Sequence, residues 1–429
     1  MTGCAARRSF DTRASSKILN RRILQVPAVS KMVVDPFKKY GLKRCINAAT
    51  CLTRLGGSIV DPRILKAMNE ASSAFINIPE LQQWAGREIA KATSAEAGLP
   101  TAGAVNSLIL AAAACIMRGT ELEKHDPLQP ETWSDIIQRL PAHTEGLRTE
   151  FVVQKCNRSS YDYAVECAGG KMLEIGSESG TKIADLEEVF DVEKTAAYYY
   201  TVRNSKKGLP LDTIINVAHS HGAPVIVDAA PELRPKKILS LYPAKGADLV
   251  IYSGGKHLGG PNNTGILTGR ADLIKLAHLQ AYPFDGIGRA AKMSRETIVG
   301  LVEAIHIFQQ RDDAAWMREM EAKARSIADR LSGINGVETG LVYEYTVEEG
   351  ERMTPFAYLK LDETKTSVTL RQIHRDLKQG EPCIETLLEP AFLIPDYKDK
   401  VTFNPEYLLS GDDEVIIKRV REILTGKGM

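Results

Sequence analysis

Short apolar runs alternate with amphipathic stretches through the middle of the chain. The apolar runs predict strands at residues 151–155, 172–175, 196–202, 225–228, 249–253 and 265–268. The amphipathic stretches predict helices at residues 160–168, 183–190 and 211–221. Short strands that alternate with helices are typical of a mostly parallel sheet covered on both faces. The pattern therefore predicts an α/β fold whose ligand binds beyond the carboxyl ends of the strands.

Further elements are predicted on both sides of this region. Before it, helical patterns cover residues 62–72, 81–93 and, after a turn at 99–104, an alanine-rich segment that ends at Met117. After it, a long helical pattern at 294–331, broken once, leads to strands near 342–345, 357–361, 383–388 and 401–403 and helices at 370–377 and 413–424. We expect an arm at 32–60, a large domain at 61–295 with an insertion at 121–148, and a linking helix with a small C-terminal domain at 296–429.

Composition narrows the class of partner. The 429 residues carry a net charge of +1, which gives no sign of a nucleic-acid partner. No apolar run reaches the roughly 18 residues that a membrane helix needs, so we expect no membrane partner. The seven cysteines show no CxxC spacing and lie mostly in apolar stretches. This predicts reduced thiols in the cytoplasm rather than disulfides or zinc.

The first 31 residues are basic and contain a single acid, Asp11. Their cations are Arg7, Arg8, Arg13, Lys17, Arg21, Arg22 and Lys31. An organellar transit peptide has such a composition. The interpretation we favour is a disordered leader, or an upstream start codon with Met32 as the working start.

A lysine and an aspartate stand at two predicted strand ends. Lys256 follows the strand at 249–253 within Ser-Gly-Gly-Lys-His, and Asp228 ends the strand at 225–228. Pyridoxal phosphate chemistry needs such a pair, because the lysine forms an imine with the cofactor aldehyde and the aspartate keeps a proton on the pyridine nitrogen. The alternatives are a surface lysine in a glycine-rich turn and an aspartate that caps a turn. The strand alternation and the pairing of the two residues favour the cofactor site.

The cofactor phosphate also has a predicted place. Thr101, Gly103 and Ala104 open the buried helix, whose free N–H groups and dipole attract anions. Ser253, three residues before Lys256, can add a second hydroxyl. A Walker loop is excluded because Val250 stands in the place of its first glycine and His257 in that of its Ser or Thr.

The segments around these residues resemble a known family. Residues 223–269 carry APVIVDAA, GADLVIYSGGK, GGPNNTG and ILTG in order, and TRLGGS stands at 53–58. With Gly288-Arg289, Lys292 and Glu296, the chain resembles the selenocysteine-synthase-like branch of fold-type-I pyridoxal phosphate enzymes. Within that branch it is most similar to the D-glucosaminate-6-phosphate ammonia-lyase group.

The resemblance implies a fold and further site residues. The fold is a large domain with a mostly parallel seven-stranded sheet plus a smaller C-terminal α/β domain, in a homodimer or higher homo-oligomer with sites at the subunit interface. It implies that Asn47, Arg54, Arg289 and Lys292 border the substrate, for which interdomain ion pairs are the alternative. It also places Asn157 against the cofactor ring, where relatives often carry a histidine. A further departure is that residues 381–385 lack an arginine to grip a substrate carboxylate.

These features together predict an ammonia-lyase type of enzyme. Lys256 is the expected general base at Cα, and loss of a β-hydroxyl from an amino acid or amino sugar acid would give a keto acid and ammonia. The same residues also suit a racemase or epimerase, an aldolase, a β-replacement transferase or an aminotransferase. A pseudoenzyme on this scaffold is a second class of hypothesis, favoured by the departures and opposed by the intact Lys256 and Asp228.

Overall fold

The structure is a computed structural model that describes residues 35–129 and 134–426. Its strands are, in chain order, β1 (Cys45–Asn47), β2 (Ala97–Thr101), β3 (Glu150–Gln154), β4 (Lys171–Ile175), β5 (Thr195–Thr201), β6 (Val225–Asp228), β7 (Leu249–Ser253), β8 (Gly265–Gly269), β9 (Val337–Tyr345), β10 (Arg352–Leu361), β11 (Cys383–Glu385), β12 (Leu387–Leu388) and β13 (Val401–Phe403). The predicted leader at 1–31 lies outside the described residues.

The helices cover both faces of the sheet and build most of the C-terminal region. They are α1 (Pro62–Ala71), α2 (Ile78–Thr93), α3 (Ala104–Met117), α4 (Ser134–Ile137), α5 (Tyr163–Cys167), α6 (Ile183–Glu188), α7 (Leu211–Ser220), α8 (Ile238–Ala244), α9 (Ala271–Gln280), α10 (Arg295–Gln310), α11 (Asp313–Leu331), α12 (Leu370–Gln379) and α13 (Asp412–Thr425). None of these helices is long and apolar enough to cross a membrane.

The central sheet has seven strands in the order β2-β8-β7-β6-β5-β3-β4. Strand β8 runs antiparallel to both of its neighbours, and the remaining pairs are parallel. The predicted α/β class with a mostly parallel seven-stranded sheet is therefore confirmed. The carboxyl ends of β2, β7, β6, β5, β3 and β4 all lie at one edge of the sheet, where a ligand is expected.

Side-chain alternation along the strands gives the sheet two apolar faces. In β5, Tyr198 and Tyr200 pack into one cluster with helices α1, α2, α7, α8 and α10, whereas Tyr199 packs into another with α3, α5 and α9. Every residue of β5 is buried, as expected for a central strand covered on both sides.

The C-terminal region has its own core and its own sheets. Strands β12, β13, β10 and β9 form an antiparallel sheet, and β1 from the arm pairs in parallel with β11. A separate cluster, which we call the C-terminal core, includes Ile46 and Ala48 of the arm together with apolar residues of α11, α12 and α13. The predicted single strand at 383–388 is wrong, since β11 and β12 belong to different sheets.

Two further predicted element boundaries can be compared with the structure, and one of them is correct. The predicted break in the long helix is confirmed: α10 ends at Gln310, and Asp312 caps α11 by accepting a hydrogen bond from the Ala315 N–H at 3.0 Å. Residues 99–101, predicted as a turn, are the end of β2. Pro100 is tolerated there because β2 is an edge strand.

Candidate active site

Three predicted site residues end strands at the same edge of the sheet. Asp228 ends β6, Ser253 ends β7 and Thr101 ends β2. Each lies two positions beyond a residue of the α3 face, namely Ile226, Ile251 and Leu99. Since alternate residues of a strand share a face, the three side chains lie on the α3 side of the sheet. In the register, Gly265 of β8 stands between Thr101 and Ser253.

The loop that follows β7 holds Lys256. Its backbone closes on itself, because the Gly254 N–H donates to the Thr264 carbonyl and the Gly259 N–H donates to the Lys256 carbonyl, both at 2.9 Å. A Cβ on Gly254 would lie 2.1 Å from Thr264 Oγ1, and one on Gly255 would lie 2.5 Å from Asn262 Cα. The two glycines are thus required by the chain's own close packing.

Asp228 is a buried carboxylate close to Lys256. It accepts a hydrogen bond from the Ala230 N–H at 3.0 Å. Burial raises the pKa of Asp228, and this backbone hydrogen bond and the charge of Lys256 oppose the rise. A buried carboxylate whose charged form lacks solvation favours a cationic partner, and a protonated pyridine nitrogen is one.

The start of α3 lies beside Gly265. A Cβ at Gly265 would approach the Gly103 carbonyl carbon to 2.5 Å, so only glycine lets β8 run this close to the helix start. Gly103 is the N-cap of α3, has φ of 96°, and offers no side chain to satisfy the first N–H groups. Ser253 has no hydrogen-bond partner for its hydroxyl among the described residues. These donors suit a phosphate group.

Thr101, which is predicted to contact the phosphate, has its hydroxyl paired within the chain. Its hydroxyl lies 2.5 Å from Ser107 Oγ and 3.3 Å from the Gly103 carbonyl oxygen, and the side chain is buried. The hydroxyl is thus engaged within the first turn of α3. Thr101 shapes the helix start and does not present a free hydroxyl to a phosphate.

Asn157, which is predicted to lie against the cofactor ring, is paired with the backbone of β5. Its side chain is fully buried. The amide donates to the Thr201 carbonyl at 2.7 Å and accepts from the Thr201 N–H at 2.8 Å. With both amide atoms paired, Asn157 fixes the end of β5, and its contact with the cofactor ring stays a prediction.

The arm carries two other predicted residues and contacts the Lys256 loop through Ser58. Ser58 Oγ donates to the Gly255 carbonyl at 3.3 Å, which fixes residues 53–58 against that loop. Arg54 is directed to the C-terminal region, where it pairs with the buried carboxylate of Glu385 at 2.7 Å. Asn47 stays within the arm, with its amide bonded to the Thr50 carbonyl and the Ala49 N–H. The ion pair that was the alternative to a substrate contact for Arg54 is therefore present.

The remaining predicted residues lie in the segment after α9. Arg289 stacks over Tyr282, with 5.3 Å from guanidinium carbon to ring centre, and pairs with Asp285 at 3.4 Å. Lys292 is exposed. Neither has a hydrogen bond or ion pair to the Lys256 loop within the described chain. Both are cations on an accessible segment.

A buried ionic network next to the Lys256 loop was not predicted. Arg234 and Glu406 form an ion pair, and Arg234 also donates to the His257 carbonyl at 3.4 Å. The guanidinium of Arg234 stacks on Trp316 at 4.0 Å. Glu406 comes from the segment after β13, so the network joins the C-terminal region to the residue that follows Lys256. The partners lie 172 positions apart, a separation that no local pattern signals.

Cys51 is the second unpredicted neighbour of Lys256. Burial and the charge of Glu406 raise the pKa of its thiol, and the charge of Lys256 opposes the rise. The thiol also lies 3.8 Å from Thr50 Oγ1. The arm, the Lys256 loop and the segment after β13 therefore meet around the lysine.

Comparison with known proteins identifies the family. The sequence profile of class-V aminotransferases matches residues 164–392, which include Asp228, Ser253 and Lys256. The chain belongs to this family. As a class-V aminotransferase relative it is an enzyme that uses pyridoxal phosphate, and the expected cofactor and enzyme class are confirmed.

Relatives that match nearly the whole chain show which members of the family it is similar to. The chain is 29% identical over 399 residues to D-glucosaminate-6-phosphate ammonia lyase of Salmonella typhimurium, covering 91% of this chain and 98% of the relative. It is 28% identical over 404 residues to the 5'-C-glycyluridine monooxygenase-decarboxylase of a Streptomyces species, covering 91% and 92%. A solved structure of D-glucosaminate-6-phosphate ammonia-lyase aligns with a TM-score of 0.76 over 92% of this chain and 99% of its own, at 28% identity. The predicted resemblance to that group is confirmed.

The residues of the site fit pyridoxal phosphate. Asp228 would offer a buried carboxylate to the ring nitrogen, and the start of α3 with Ser253 would offer donors to the phosphate. Lys256 is half-buried at the same edge of the sheet, as an amine that reacts with an aldehyde requires. The lysine, the carboxylate and the phosphate donors therefore lie at the same edge of the central sheet.

Proposed function

We propose that the protein is a lyase that eliminates a β-hydroxyl group and the amine from a polar amino acid or amino sugar acid, giving a keto acid and ammonia. The observation that carries the proposal is the convergence of Lys256, Asp228 and the start of α3 at one sheet edge. The likeness to D-glucosaminate-6-phosphate ammonia-lyase over nearly the whole of both chains supports the reaction type.

Pyridoxal phosphate supplies the electron sink when it is bound, by withdrawing electrons from the carbon that carries the substrate amine. Lys256 Nζ would hold the cofactor through its aldehyde, and the free amine would be the general base that removes the proton from Cα. Asp228 keeps the facing ring nitrogen protonated. Gly103, Ala104 and Ser253 hold the phosphate through N–H groups and a hydroxyl.

The leaving hydroxyl needs a proton donor. Cys51 suits this role because its thiol is close enough to be influenced by the charge of Lys256, and burial raises its pKa, which favours the protonated thiol. Departure of the hydroxyl as water leaves an unsaturated amine, which solvent converts to the keto acid and ammonia.

The cationic residues around the site suit an anionic substrate. Arg54 lies on the arm segment that contacts the Lys256 loop through Ser58, and a substrate anion would compete with Glu385, its partner at 2.7 Å, for its guanidinium. Arg289 and Lys292 lie on an accessible segment after α9 and are proposed to reach the site of a second copy of the chain in a homodimer or larger homo-oligomer. A phosphate or carboxylate on the substrate is the group they would bind.

A second candidate is release of the substrate carboxylate as carbon dioxide. The similar identity to the glycyluridine monooxygenase-decarboxylase favours it, because that relative covers as much of the chain as the lyase does. Both reactions use the same lysine and aspartate. They differ in which bond at Cα is broken.

The test is a screen of β-hydroxy amino acids and 2-amino sugar acids, each with and without a terminal phosphate. Keto acid, ammonia and carbon dioxide are measured together for the wild type and for Lys256→Ala. Keto acid and ammonia in equal amounts, absent in the variant, are expected. Carbon dioxide without ammonia would replace the lyase with the second candidate, and inversion at Cα without any release would replace both with a racemase.

A further inference from the structure

Two cysteines lie side by side where the arm meets the C-terminal region. Strand β1 pairs in parallel with β11, and Cys45 stands directly opposite Cys383 in that register. Their sulfur atoms are 2.9 Å apart, although the residues are separated by 338 positions in the sequence. Both are free thiols and both are partly exposed, so a dissolved oxidant can reach them.

The backbone geometry at this pair suits a covalent bond. Neighbouring strands lie about 4.7–4.9 Å apart, which falls inside the range of roughly 4.4–6.8 Å that joins the Cα atoms of disulfides. Residues at the same register position direct their side chains to the same side of the sheet. The sulfurs need to approach by less than about 1 Å to reach bonding distance. Side-chain rotation provides that without moving the strands.

A metal is the competing explanation for two close thiols. One carboxylate oxygen of Glu385 lies within 4.8 Å of both sulfurs, so the three side chains form a candidate ligand set. Two thiolates on one zinc ion stand about 3.8 Å apart, given zinc–sulfur bonds of about 2.3 Å in a tetrahedron. The sulfurs here are closer than that, and Glu385 is already paired with Arg54 at 2.7 Å and Lys378 at 3.5 Å. Both observations favour a sulfur–sulfur bond.

We propose that Cys45 and Cys383 form a reversible disulfide that fastens β1 to β11. With glutathione disulfide as oxidant, the thiolate of Cys383 attacks one of its sulfurs and releases a glutathione thiolate. The Cys45 sulfur then attacks the Cys383 sulfur and releases the second glutathione as a thiol. The two cysteines lose two protons and two electrons, and one glutathione disulfide becomes two glutathiones.

The surroundings of the pair set the order and the pace of this exchange. Burial raises the pKa of Cys45 to about 12, and the neighbouring Cys383 and Glu385 add to the rise. Cys45 is therefore a thiol at neutral pH and enters in the second step. We expect slow oxidation. Formation of the bond also removes two ionisable groups from beside the buried Glu385 carboxylate.

The disulfide would act on the part of the arm that carries Arg54. Glu385 lies two positions beyond Cys383 and holds Arg54, so a bond between β1 and β11 fixes both partners of that ion pair. It also closes a loop across most of the chain, which restricts the unfolded state. The inference does not depend on which reaction the enzyme catalyses.

The experiment counts thiols in the full-length protein after equilibration in glutathione buffers of graded oxidised-to-reduced ratio. Denatured samples are labelled with a maleimide and weighed by mass spectrometry. The reduced protein has seven cysteines and gains seven labels, and the disulfide form gains two fewer. The Cys167→Ser control, at an exposed thiol, should show the same loss of two, whereas Cys45→Ser should show none.

Two further measurements complete the test. The first is detection of a Cys45–Cys383 cross-linked peptide in the oxidised wild type, which shows the disulfide even when Cys45→Ser fails to fold. The second is the Tm, which oxidation should raise by on the order of 5 °C. Seven labels at every glutathione ratio would overturn the proposal. If two thiols resist the maleimide, no cross-linked peptide is found and a chelator restores the labelling, a metal site would replace the proposed disulfide.

Discussion

Neutralising Glu406 is expected to destabilise the protein strongly. The side chains of Arg234 and Glu406 are only 5% and 9% exposed, so Glu406→Gln leaves a buried guanidinium without its counter-charge. Removing one partner of a buried ion pair costs about 3–5 kcal/mol. A second cation adds to the effect: burial and the charge of Arg234 lower the pKa of Arg311 to about 10, and both guanidiniums flank Trp316. We expect a loss near the upper end of this range.

The assay is urea unfolding of the cofactor-free protein at pH 7, with Glu381→Gln as the matched control. Glu381 pairs with Lys43 at 2.7 Å, but these side chains are 74% and 73% exposed. Such surface pairs contribute about 0–1 kcal/mol. A loss below about 1 kcal/mol for Glu406→Gln, or one equal to that of the control, would refute the assigned role of the network.

The pH dependence of this difference has a defined sign. Burial alone would raise the pKa of Glu406, but the charge of Arg234 and hydrogen bonds from its partners lower it well below its usual range. A carboxyl group with a lowered folded-state pKa stabilises the protein above its unfolded pKa of about 4.3 and loses that contribution as the pH falls. The stability gap between wild type and Glu406→Gln should therefore be full at pH 7 and shrink below about pH 4.

Three substitutions probe the cofactor site. Lys256→Ala should abolish both turnover and the borohydride-sensitive visible absorbance of the protein loaded with cofactor. The Tm of the cofactor-free protein should not change. Full activity in this variant would exclude Lys256 as the catalytic lysine. Asp228→Asn should keep that absorbance but lower kcat on the order of 100-fold or more, because the charge facing the ring nitrogen is lost; unchanged kcat would remove Asp228 from the mechanism. Gly265→Ala should weaken cofactor binding at least about tenfold, because its Cβ would lie 2.5 Å from the Gly103 backbone. Fluorescence titration measures the Kd for the cofactor. An unchanged Kd would show that the helix start does not hold the phosphate.

The central sheet was predictable because its signals are local. Strand β5 is an unbroken apolar run, and the break between α10 and α11 coincides with Asp312, a residue type that caps helices. Helix α8 was missed because it is one of the short helices and contains Pro243, which hides its periodicity. Lys256 and Asp228 could be singled out from the sequence because Asp228 is the last residue of one apolar run and Lys256 stands three residues after another.

The rest of the site depends on contacts between distant parts of the chain. Arg234 and Glu406 are ordinary surface residue types in the sequence, and only the folded chain buries them together. Asn157 was assigned a place by resemblance, but its amide matches the backbone of Thr201, a pairing that no motif encodes. The adjacency of Cys45 and Cys383 is set by the register between β1 and β11, which is a tertiary property.

The pairing of β1 with β11 has a consequence for how the chain is made. The C-terminal core contains Ile46 and Ala48, which leave the ribosome first, and it is completed by helices that leave last. The 338 positions between Cys45 and Cys383 take roughly 20–70 s to synthesise at about 5–20 residues per second. The central sheet thus has time to form while the arm still lacks its partner strand. For the same reason, a fragment that begins at α10 would lack β1 and expose the edge of β11, so we expect it to aggregate.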